Sequence, residues 1–230
     1  MKTRISKSRY TKFCQCPKYM WLAVNEPDLA PIDAALEARF AEGNQIGDLA
    51  MGLFGPYVEV TAFKDNKLDL ETMIARTAEL MADPSCNVIC EASFNVENGD
   101  RTEYCAVDIL RRKSDGWAIY EVKSSTSHLG DEVTKPDKFH KYAPDIAYQK
   151  YVLESAGVKV TGTYLVTLNS DYVRNGDLDI QELFNVIDME ALIADEYVKV
   201  PGQSKHAHKV LALESAPDRE LGMHCTDPYS

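Results

Sequence analysis

The stretch from Tyr104 to Ser125, YCAVDILRRKSDGWAIYEVKSS, decides the fold. Two runs that alternate apolar and polar residues flank Ser114-Asp115-Gly116. Asp-Gly between two such runs is the strongest short-range signal for a β-hairpin. The sequence therefore predicts a hairpin in which Asp115 and Gly116 form the loop and Ser114 faces Trp117.

Three charged residues of this hairpin are expected to lie together. Counting outward from the loop pairs Leu110 with Glu121 and Asp108 with Lys123. Directly opposed residues project from the same face of a sheet, as do residues two apart on one strand. Asp108, Glu121 and Lys123 should therefore lie within about 5 to 8 Å of one another. The other face is predicted to be core and carries Val107, Ile109, Tyr120 and Val122.

Two carboxylates held side by side on a rigid sheet repel each other, and a hard divalent cation relieves that repulsion. Mg²⁺ takes oxygen ligands and keeps several waters for a substrate phosphate. The ammonium group of Lys123 would orient or deprotonate a water and offset charge that develops on the phosphate. The pattern predicts metal-assisted phosphodiester hydrolysis. The alternative is a solvated sheet face on which Asp108 and Lys123 form an ordinary cross-strand ion pair.

The order Asp108, a hairpin's length, then Glu121-Val122-Lys123 resembles the active-site signature of the PD-(D/E)XK nuclease superfamily in its RecB-like branch. The resemblance implies that Asp108 and Glu121 bind Mg²⁺ or Mn²⁺ and that the carbonyl of Val122 is a further ligand. It makes Lys123 catalytic. It also implies an α/β fold with a restriction-endonuclease-like core, in which helices flank a mixed central β-sheet.

Two further candidates lie on neighbouring elements. A strand carboxylate before the hairpin occurs in this superfamily, and Glu91 fills that position on a strand predicted at 87–96. It would support the metal directly or through water, or it is an edge-facing glutamate. RecB-like nucleases carry Gln-x-x-x-Tyr on the helix after Glu-x-Lys. Gln149 matches the Gln, whereas Leu153 stands in the Tyr position. Tyr151 is a candidate to replace that Tyr, and the alternative for Gln149 is a surface glutamine.

One expected metal ligand is absent from the sequence. The helical spacing predicted over 31–54 is interrupted by Gly43 and Gly47. RecB-like nucleases generally place a metal-binding His where this chain has Gly47. Asp48 is adjacent, but neighbouring residues on a helix point about 100° apart. The lost ligand leaves catalytic competence open.

Longer segments resemble an uncharacterised bacterial domain family of the same superfamily. At 230 residues the chain fits one domain with a proper core. We therefore expect a single nuclease-like domain over residues 1–230. The resembling segments are FAEGNQIGDLA, AVDIL, EVKSSTS, IAYQKYVLESAG and LNSDYVRNGDLDIQELF.

Two cysteines suggest an iron-sulphur cluster. Cys16-Pro17-Lys18, followed by an aromatic residue and Trp-Leu, resembles the start of the iron-sulphur nucleases related to RecB, including the CRISPR-associated exonucleases. In those, one N-terminal cysteine joins three near the C-terminus to hold a cluster, and the surroundings of Cys225 resemble the approach to that group. An iron-sulphur cluster or a structural zinc site is usually held by four protein ligands. Either the sequence is the N-terminal part of a longer protein with a further C-terminal domain or partner, or the site is vestigial.

The charge is unevenly distributed. A net charge of -11 argues against diffuse affinity for nucleic acid, since neutralising phosphate requires Lys and Arg. Residues 1–25 nevertheless carry six basic residues and no acid, which leaves 19 basic and 36 acidic residues elsewhere, a balance of -17. With Ser6 as the N-cap of a helix at 7–15, this segment is predicted to be an arm that tracks the DNA backbone, single-stranded or duplex. A solvated helix face is the alternative.

The remaining sequence features concern the cellular location, one long polar stretch and the C-terminal tail. No apolar run approaches the roughly 18 residues of a membrane span and no signal peptide is visible, so we expect a cytoplasmic protein without membrane contact. A long polar stretch to Lys141 is expected to be structureless, and residues 200–230 to form a tail. In that tail His206 and His208 would face solvent or bind a metal.

Three functional hypotheses follow. The first is a metal-dependent DNA nuclease with exonuclease-like action, in which Asp108 and Glu121 hold the metal, Lys123 lies near the attacking water and Gln149 orients that water or the substrate. The second is a catalytically impaired nucleic-acid-binding or scaffolding module of a larger protein. The third is a protein-interaction domain indifferent to DNA.

Overall fold

The computed structural model describes residues 3–30 and 34–225, which form a curled β-sheet with helices on both faces. The strands of the protein, in chain order, are β1 (Thr3–Ser6), β2 (Val58–Glu59), β3 (Phe63–Lys64), β4 (Lys67–Leu68), β5 (Val88–Asn98), β6 (Arg101–Lys113), β7 (Gly116–Ser127), β8 (Val160–Asn169) and β9 (Phe184–Asp188). Its helices are α1 (Lys7–Gln15), α2 (Pro17–Asn25), α3 (Ala34–Met51), α4 (Leu70–Ala82), α5 (Asp131–Thr134), α6 (Asp137–His140), α7 (Ala143–Ser155), α8 (Ile180–Leu183) and α9 (Glu190–Leu211).

The sheet is mixed, as predicted for an α/β fold. Its strand order is β2-β5-β6-β7-β8-β9, and β1 pairs with β6 in parallel. The pairs β2-β5 and β7-β8 are also parallel, whereas β5-β6, β6-β7 and β8-β9 are antiparallel. β3 and β4 form a separate two-stranded hairpin. The predicted α/β class with a mixed central sheet is confirmed.

Both faces of the sheet are covered by helices. On one face Tyr10 of α1 and Tyr148 of α7 pack in the same cluster as Ile119 of β7, together with residues of α2, α4 and α9. On the other face Met51 of α3 packs with Tyr120 of β7. A strand buried on both faces reads as a continuous apolar run. This accounts for the sequence WAIY in the first half of β7.

The central hairpin forms where predicted, but its register differs. Lys113 pairs with Gly116, so the two loop residues are Ser114 and Asp115 rather than Asp115 and Gly116. The glycine serves another purpose, because a Cβ at Gly116 would lie 2.4 Å from the backbone oxygen of Lys159. Gly116 allows β7 to approach this neighbouring backbone closely. The predicted pairs of Ser114 with Trp117, Leu110 with Glu121 and Asp108 with Lys123 are therefore wrong.

The predicted common face survives this error in part. Each residue's partner moves by two positions, and a shift of two preserves the side of the sheet. However, Val107 packs in one core cluster while Ile109 and Tyr120 pack in the other. The strand opposite shows the cause, since Glu91 has a positive φ of 57°. Alternation is interrupted there, so the prediction that Val107 shares a face with Ile109 is wrong.

Several predicted boundaries are confirmed and others are corrected. Ser6 Oγ accepts a hydrogen bond from the backbone N–H of Arg9, which caps α1 as expected. The stretch before Lys141 is not structureless, because it contains α5 and α6. There Asp131 is buried and accepts hydrogen bonds from Lys135 and Lys138.

The predicted tail at 200–230 is also corrected. Helix α9 continues through Pro201 to Leu211. His208 of this helix is buried, and its ring nitrogens contact Thr3 and Glu103 at 2.6 and 3.0 Å, so it is not solvent-facing. Residues 31–33 of the predicted helix and the last residues of the predicted tail, 226–230, lie outside the described residues. Across the described part of the chain, no helix is both long and apolar enough to cross a bilayer.

Candidate active site

The site begins where β6 and β7 part. Their ladder is continuous up to the pair Ile109–Tyr120, and Asp108 and Glu121 are the next residues outward. The backbone N–H of Val122 donates to Oδ2 of Asp108 at 2.7 Å, which holds this carboxylate at the opening. The two predicted acids therefore lie on adjacent strands beside a gap in the hydrogen-bond ladder.

Lys123 and Gln149 join these acids. Nζ of Lys123 donates to Oε1 of Glu121 at 2.6 Å, and Nε2 of Gln149 donates to Oε2 of the same carboxylate at 2.7 Å. Gln149 is fully buried, so the alternative of a surface glutamine is wrong. Its Oε1 is buried without a hydrogen-bond partner among the described residues.

Asp145 is a site residue that the sequence reasoning missed. It is buried on α7, and its carboxylate contacts Lys123 Nζ at 2.8 Å and Gln149 Nε2 at 3.3 Å. Residues four apart on a helix share a face. The spacing of Asp145 and Gln149 was therefore a usable signal. Asp145 holds both Lys123 and Gln149 in place.

Lys7 is the second residue that was missed. Its ammonium nitrogen lies 3.3 Å from Oδ1 of Asp108 and 2.9 Å from Oε2 of Glu121, so it bridges the two acids. Lys7 was assigned to a DNA-tracking arm, but its side chain is turned inward and is only 23% exposed. Since 101 positions separate it from Asp108, no local pattern reveals this contact.

The two lysines decide the charge state of Glu121. Burial opposes ionisation of this carboxyl, but Lys123 and Lys7 outweigh it and hold the pKa of Glu121 well below its usual range. Burial also disfavours the charged form of Lys123, yet Asp145 and Glu121 outweigh it and raise the pKa of Lys123. In this network Glu121 is a carboxylate and Lys123 is a cation.

The other carboxyls are less well compensated. Burial raises the pKa of Asp108 to about 6, and repulsion from Glu121 contributes to the rise. Burial and Asp108 raise the pKa of Glu91 to about 7. Burial and Glu121 likewise raise the pKa of Asp145. A positive charge placed near these carboxyls would favour their ionised forms.

The network opens onto a cleft of about 730 Å³. The predicted residues Asp108, Glu121, Val122, Lys123 and Glu91 all contribute to its wall, and α3 forms the opposite side through Gly43, Gly47 and Asp48. A Cβ added at Gly47 would meet no atom within 4 Å. The cleft therefore has room for a side chain at the position where the resembling nucleases place a histidine.

The donor set suits one kind of metal. Among the described residues there is no group of three or more His, Cys, Asp and Glu side chains arranged to hold a metal. Zinc prefers four tetrahedral protein ligands, whereas Mg²⁺ uses one or two carboxylates and keeps several waters. Asp108 and Glu121 with open space beside them fit the second pattern, and the Lys7 ammonium marks a position that favours a cation. Val122 contacts Asp108 through its backbone N–H, not through its carbonyl. The carbonyl of Val122 therefore stays a predicted ligand.

The predicted cluster cysteines lie in the same region of the molecule. Cys16 is buried between α1 and α2, and Cys225 is exposed in a short 3₁₀ helix, Met223–Cys225. Nε2 of Gln15 donates to the backbone oxygen of Cys225 at 3.3 Å, which brings the C-terminal segment to the end of α1. The iron-sulphur cluster stays a prediction.

A basic groove lies where β1 meets α1. Arg4 and Arg9 line a cavity of about 690 Å³ together with Ser6, Ser8 and Tyr104. Burial lowers the pKa of Arg9, and the Arg4 guanidinium lowers it further. Within residues 3–30 and 34–225, no carboxylate lies within ion-pair distance of either arginine. The groove therefore presents two uncompensated positive charges in a chain that is acidic overall.

Comparisons with known proteins leave the family open. No family model matches the chain. No curated protein matches it either. Among solved structures, a match is found to one described as the crystal structure of SSO0001, with 13% sequence identity and a TM-score of 0.37, covering 95% of this chain and 80% of that one. A similarity of this size carries no argument about function.

Proposed function

We propose that this protein is a metal-dependent nuclease that hydrolyses phosphodiester bonds in DNA and belongs to the RecB-like branch of the PD-(D/E)XK superfamily. One observation carries the proposal: Asp108, Glu121 and Lys123 of the central hairpin join Gln149 of α7 in one network of hydrogen bonds, in which Lys7 links Asp108 to Glu121, and the three hairpin residues line a cleft. A solvated face of unrelated polar residues would not gather them in this way.

Each residue has a separate role in the proposed reaction. Asp108 and Glu121 would hold Mg²⁺ or Mn²⁺, and the bound cation supplies Lewis-acid chemistry and a more acidic water. Lys123 donates hydrogen bonds to Glu121 and Asp145, and its ammonium would stabilise charge on the phosphate. Gln149 fixes the orientation of Glu121 through its amide hydrogen bond.

A cleavage assay tests this proposal. Labelled single-stranded and duplex DNA are incubated with the protein and Mn²⁺, and the products are resolved on a gel. The Asp108→Asn variant should lose cleavage while its circular dichroism spectrum is unchanged. The control is Asp115→Asn, which changes an exposed acid at the turn of the same hairpin and should cleave normally. Cleavage that survives in Asp108→Asn would refute the assignment.

A second function is favoured by a different observation. The Lys7 ammonium already occupies the position between Asp108 and Glu121, and Gly47 stands where the resembling nucleases have a ligand. Both features suit a catalytically impaired module that binds nucleic acid for a larger protein. Such a module would shift labelled DNA in an electrophoretic assay without cleaving it. An absence of any shift at low salt would leave a protein-interaction domain.

A further inference from the structure

The position of Lys7 is fixed by the fold around it. Ser6 pairs with Tyr104 in the parallel β1–β6 ladder, and its hydroxyl caps α1. One turn further along α1, Tyr10 is buried and stacks on Tyr148 with ring centroids 4.6 Å apart. The backbone of Lys7 is therefore anchored on both sides. The side chain of Lys7 therefore reaches the two acids from a fixed backbone position, and its contact with them follows from the fold.

The Lys7 ammonium occupies the position that a cation shared by the two acids would take. Its nitrogen lies 3.3 Å from Oδ1 of Asp108 and 2.9 Å from Oε2 of Glu121. A divalent cation bound directly to both carboxylates would lie close to that nitrogen, and two positive charges at such a separation repel each other strongly. Exchange is therefore favoured over addition.

We propose that Lys7 is a resident counter-ion of the Asp108–Glu121 pair, and that a divalent cation must displace its ammonium to occupy the site. This inference rests on the proposed function, because it assumes that the two acids bind a metal. The lysine stem is flexible, and Lys7 lines the cleft, so its ammonium can move into the cleft while α1 stays in place. Lys7 then sets the cation concentration at which the site is filled.

Calorimetric titration of the full chain with Mn²⁺ tests this proposal. The Lys7→Met variant removes the ammonium and keeps a side chain of similar length. It should bind Mn²⁺ at least about tenfold more tightly than the unmodified protein, since the metal no longer competes with a bound cation. The control is Lys12→Met, which removes a positive charge from the same helix outside the network and should leave the affinity unchanged.

Thermal unfolding gives an independent readout. Without metal, Lys7→Met should melt at a lower temperature than the unmodified protein, because it leaves buried carboxylates without their cation. Saturating Mn²⁺ should raise the melting temperature of Lys7→Met by more than it raises that of the unmodified protein. An equal increase in the two proteins would overturn the proposal.

A second variant keeps the test decisive if Lys7→Met does not fold. Lys7→Arg retains the charge, and a guanidinium binds carboxylates through a pre-organised fork. It should therefore bind Mn²⁺ several-fold more weakly than the unmodified protein. Affinity equal to or greater than that of the unmodified protein would contradict the exchange.

The titrations separate this inference from the proposed function. Equal affinities in the unmodified protein and Lys7→Met, both lost on Glu121→Gln, would overturn the role of Lys7 and leave the metal site standing. Weaker binding in Lys7→Met would overturn it as well, since it would mean that Lys7 supports the metal. An absence of Mn²⁺ binding in every protein would defeat both.

Discussion

The ammonium nitrogen of Lys7 lies 2.9 Å from Oε2 of Glu121, although 114 positions separate the two residues in the chain. The central hairpin alone therefore does not complete the candidate site. Helix α1 supplies Lys7, and helix α7 supplies Asp145 and Gln149. The network exists only when both helices are packed on the sheet, so its geometry depends on the whole fold.

Replacing Asp145 should impair catalysis more than metal binding. Asp145 contacts Lys123 and Gln149 but lies behind them, as a positioning residue. We expect Asp145→Asn to lower kcat for DNA cleavage by about tenfold to a hundredfold, as is usual for outer partners of a metal site. The KM for DNA and the calorimetric affinity for Mn²⁺ should change little. A loss of Mn²⁺ affinity as large as the loss of kcat would place Asp145 among the metal ligands instead.

The basic groove should bind the phosphate backbone. Removing the two uncompensated guanidinium groups in an Arg4→Ala/Arg9→Ala variant should weaken DNA binding and reduce the slope of log affinity against log salt by about 2. Fluorescence anisotropy over a range of salt concentrations measures both. The matched control is Lys113→Ala/Lys159→Ala, which removes the same charge at the turn end of the hairpin. Equal losses in the two variants would mean that only net charge matters.

Introducing a histidine at position 47 should strengthen metal binding. Gly47 lines the cleft, and a Cβ there has no neighbour within 4 Å, so Gly47→His should be accommodated. We expect its Mn²⁺ affinity to rise about tenfold, a gain of about 1.4 kcal/mol. Gly47→Ala is the control, because it gives a similar gain in helix propensity without a ligand. If both variants bind Mn²⁺ as the unmodified protein does, the resemblance at this position is misleading.

A second buried network should make stability depend on pH. Glu103 accepts hydrogen bonds from Ser204 and Tyr148 and contacts His208. Burial opposes ionisation, but the hydrogen bonds of His208 and Ser204 outweigh it and lower the pKa of Glu103. A carboxyl with a lowered folded-state pKa stabilises the fold above its unfolded pKa of about 4.3, and this contribution is lost as the pH falls through the folded value.

Urea unfolding of Glu103→Gln measures that contribution. At pH 7 the variant should have a free energy of unfolding about 1–3 kcal/mol below that of the unmodified protein, the usual range for a disrupted buried network. The difference should narrow as the pH falls below about 4. Glu79→Gln, an exposed change on α4, should be neutral at both pH values. A difference that does not vary with pH would argue against an ionised Glu103.

The sequence predicted local structure and the composition of the site better than its geometry. The Ser6 cap, the hairpin and the common face of Asp108 and Glu121 follow from short-range patterns, and the face was insensitive to the error of two in register. The predicted loop placed Gly116 in the turn, whereas Gly116 lies in β7 and closely approaches the backbone of Lys159, which is a tertiary contact. The change of face near Glu91 arises from one unusual backbone conformation. Periodicity carries no information about either.

The contact of Lys7 with the two acids was beyond any local pattern. Lys7 belongs to a basic segment in the sequence, and only the packing of α1 on the sheet turns it inward. Gln149 was a candidate because it matched the motif, but its contacts with Glu121 and Asp145 follow only from the packing of α7 on the sheet. Asp145 was within reach of prediction through its spacing from Gln149. The resemblance supplied the candidate residues, and the tertiary structure determines which of them contact one another.

Anomalous X-ray diffraction from crystals soaked in Mn²⁺ tests the central claim most directly. Data collected at the manganese absorption edge should give one strong peak within coordination distance of the carboxylates of Asp108 and Glu121, with the Lys7 ammonium displaced. The peak should be absent from crystals of Glu121→Gln treated in the same way. A map with no peak between the two acids, and with Lys7 still bridging them at saturating Mn²⁺, would contradict the account.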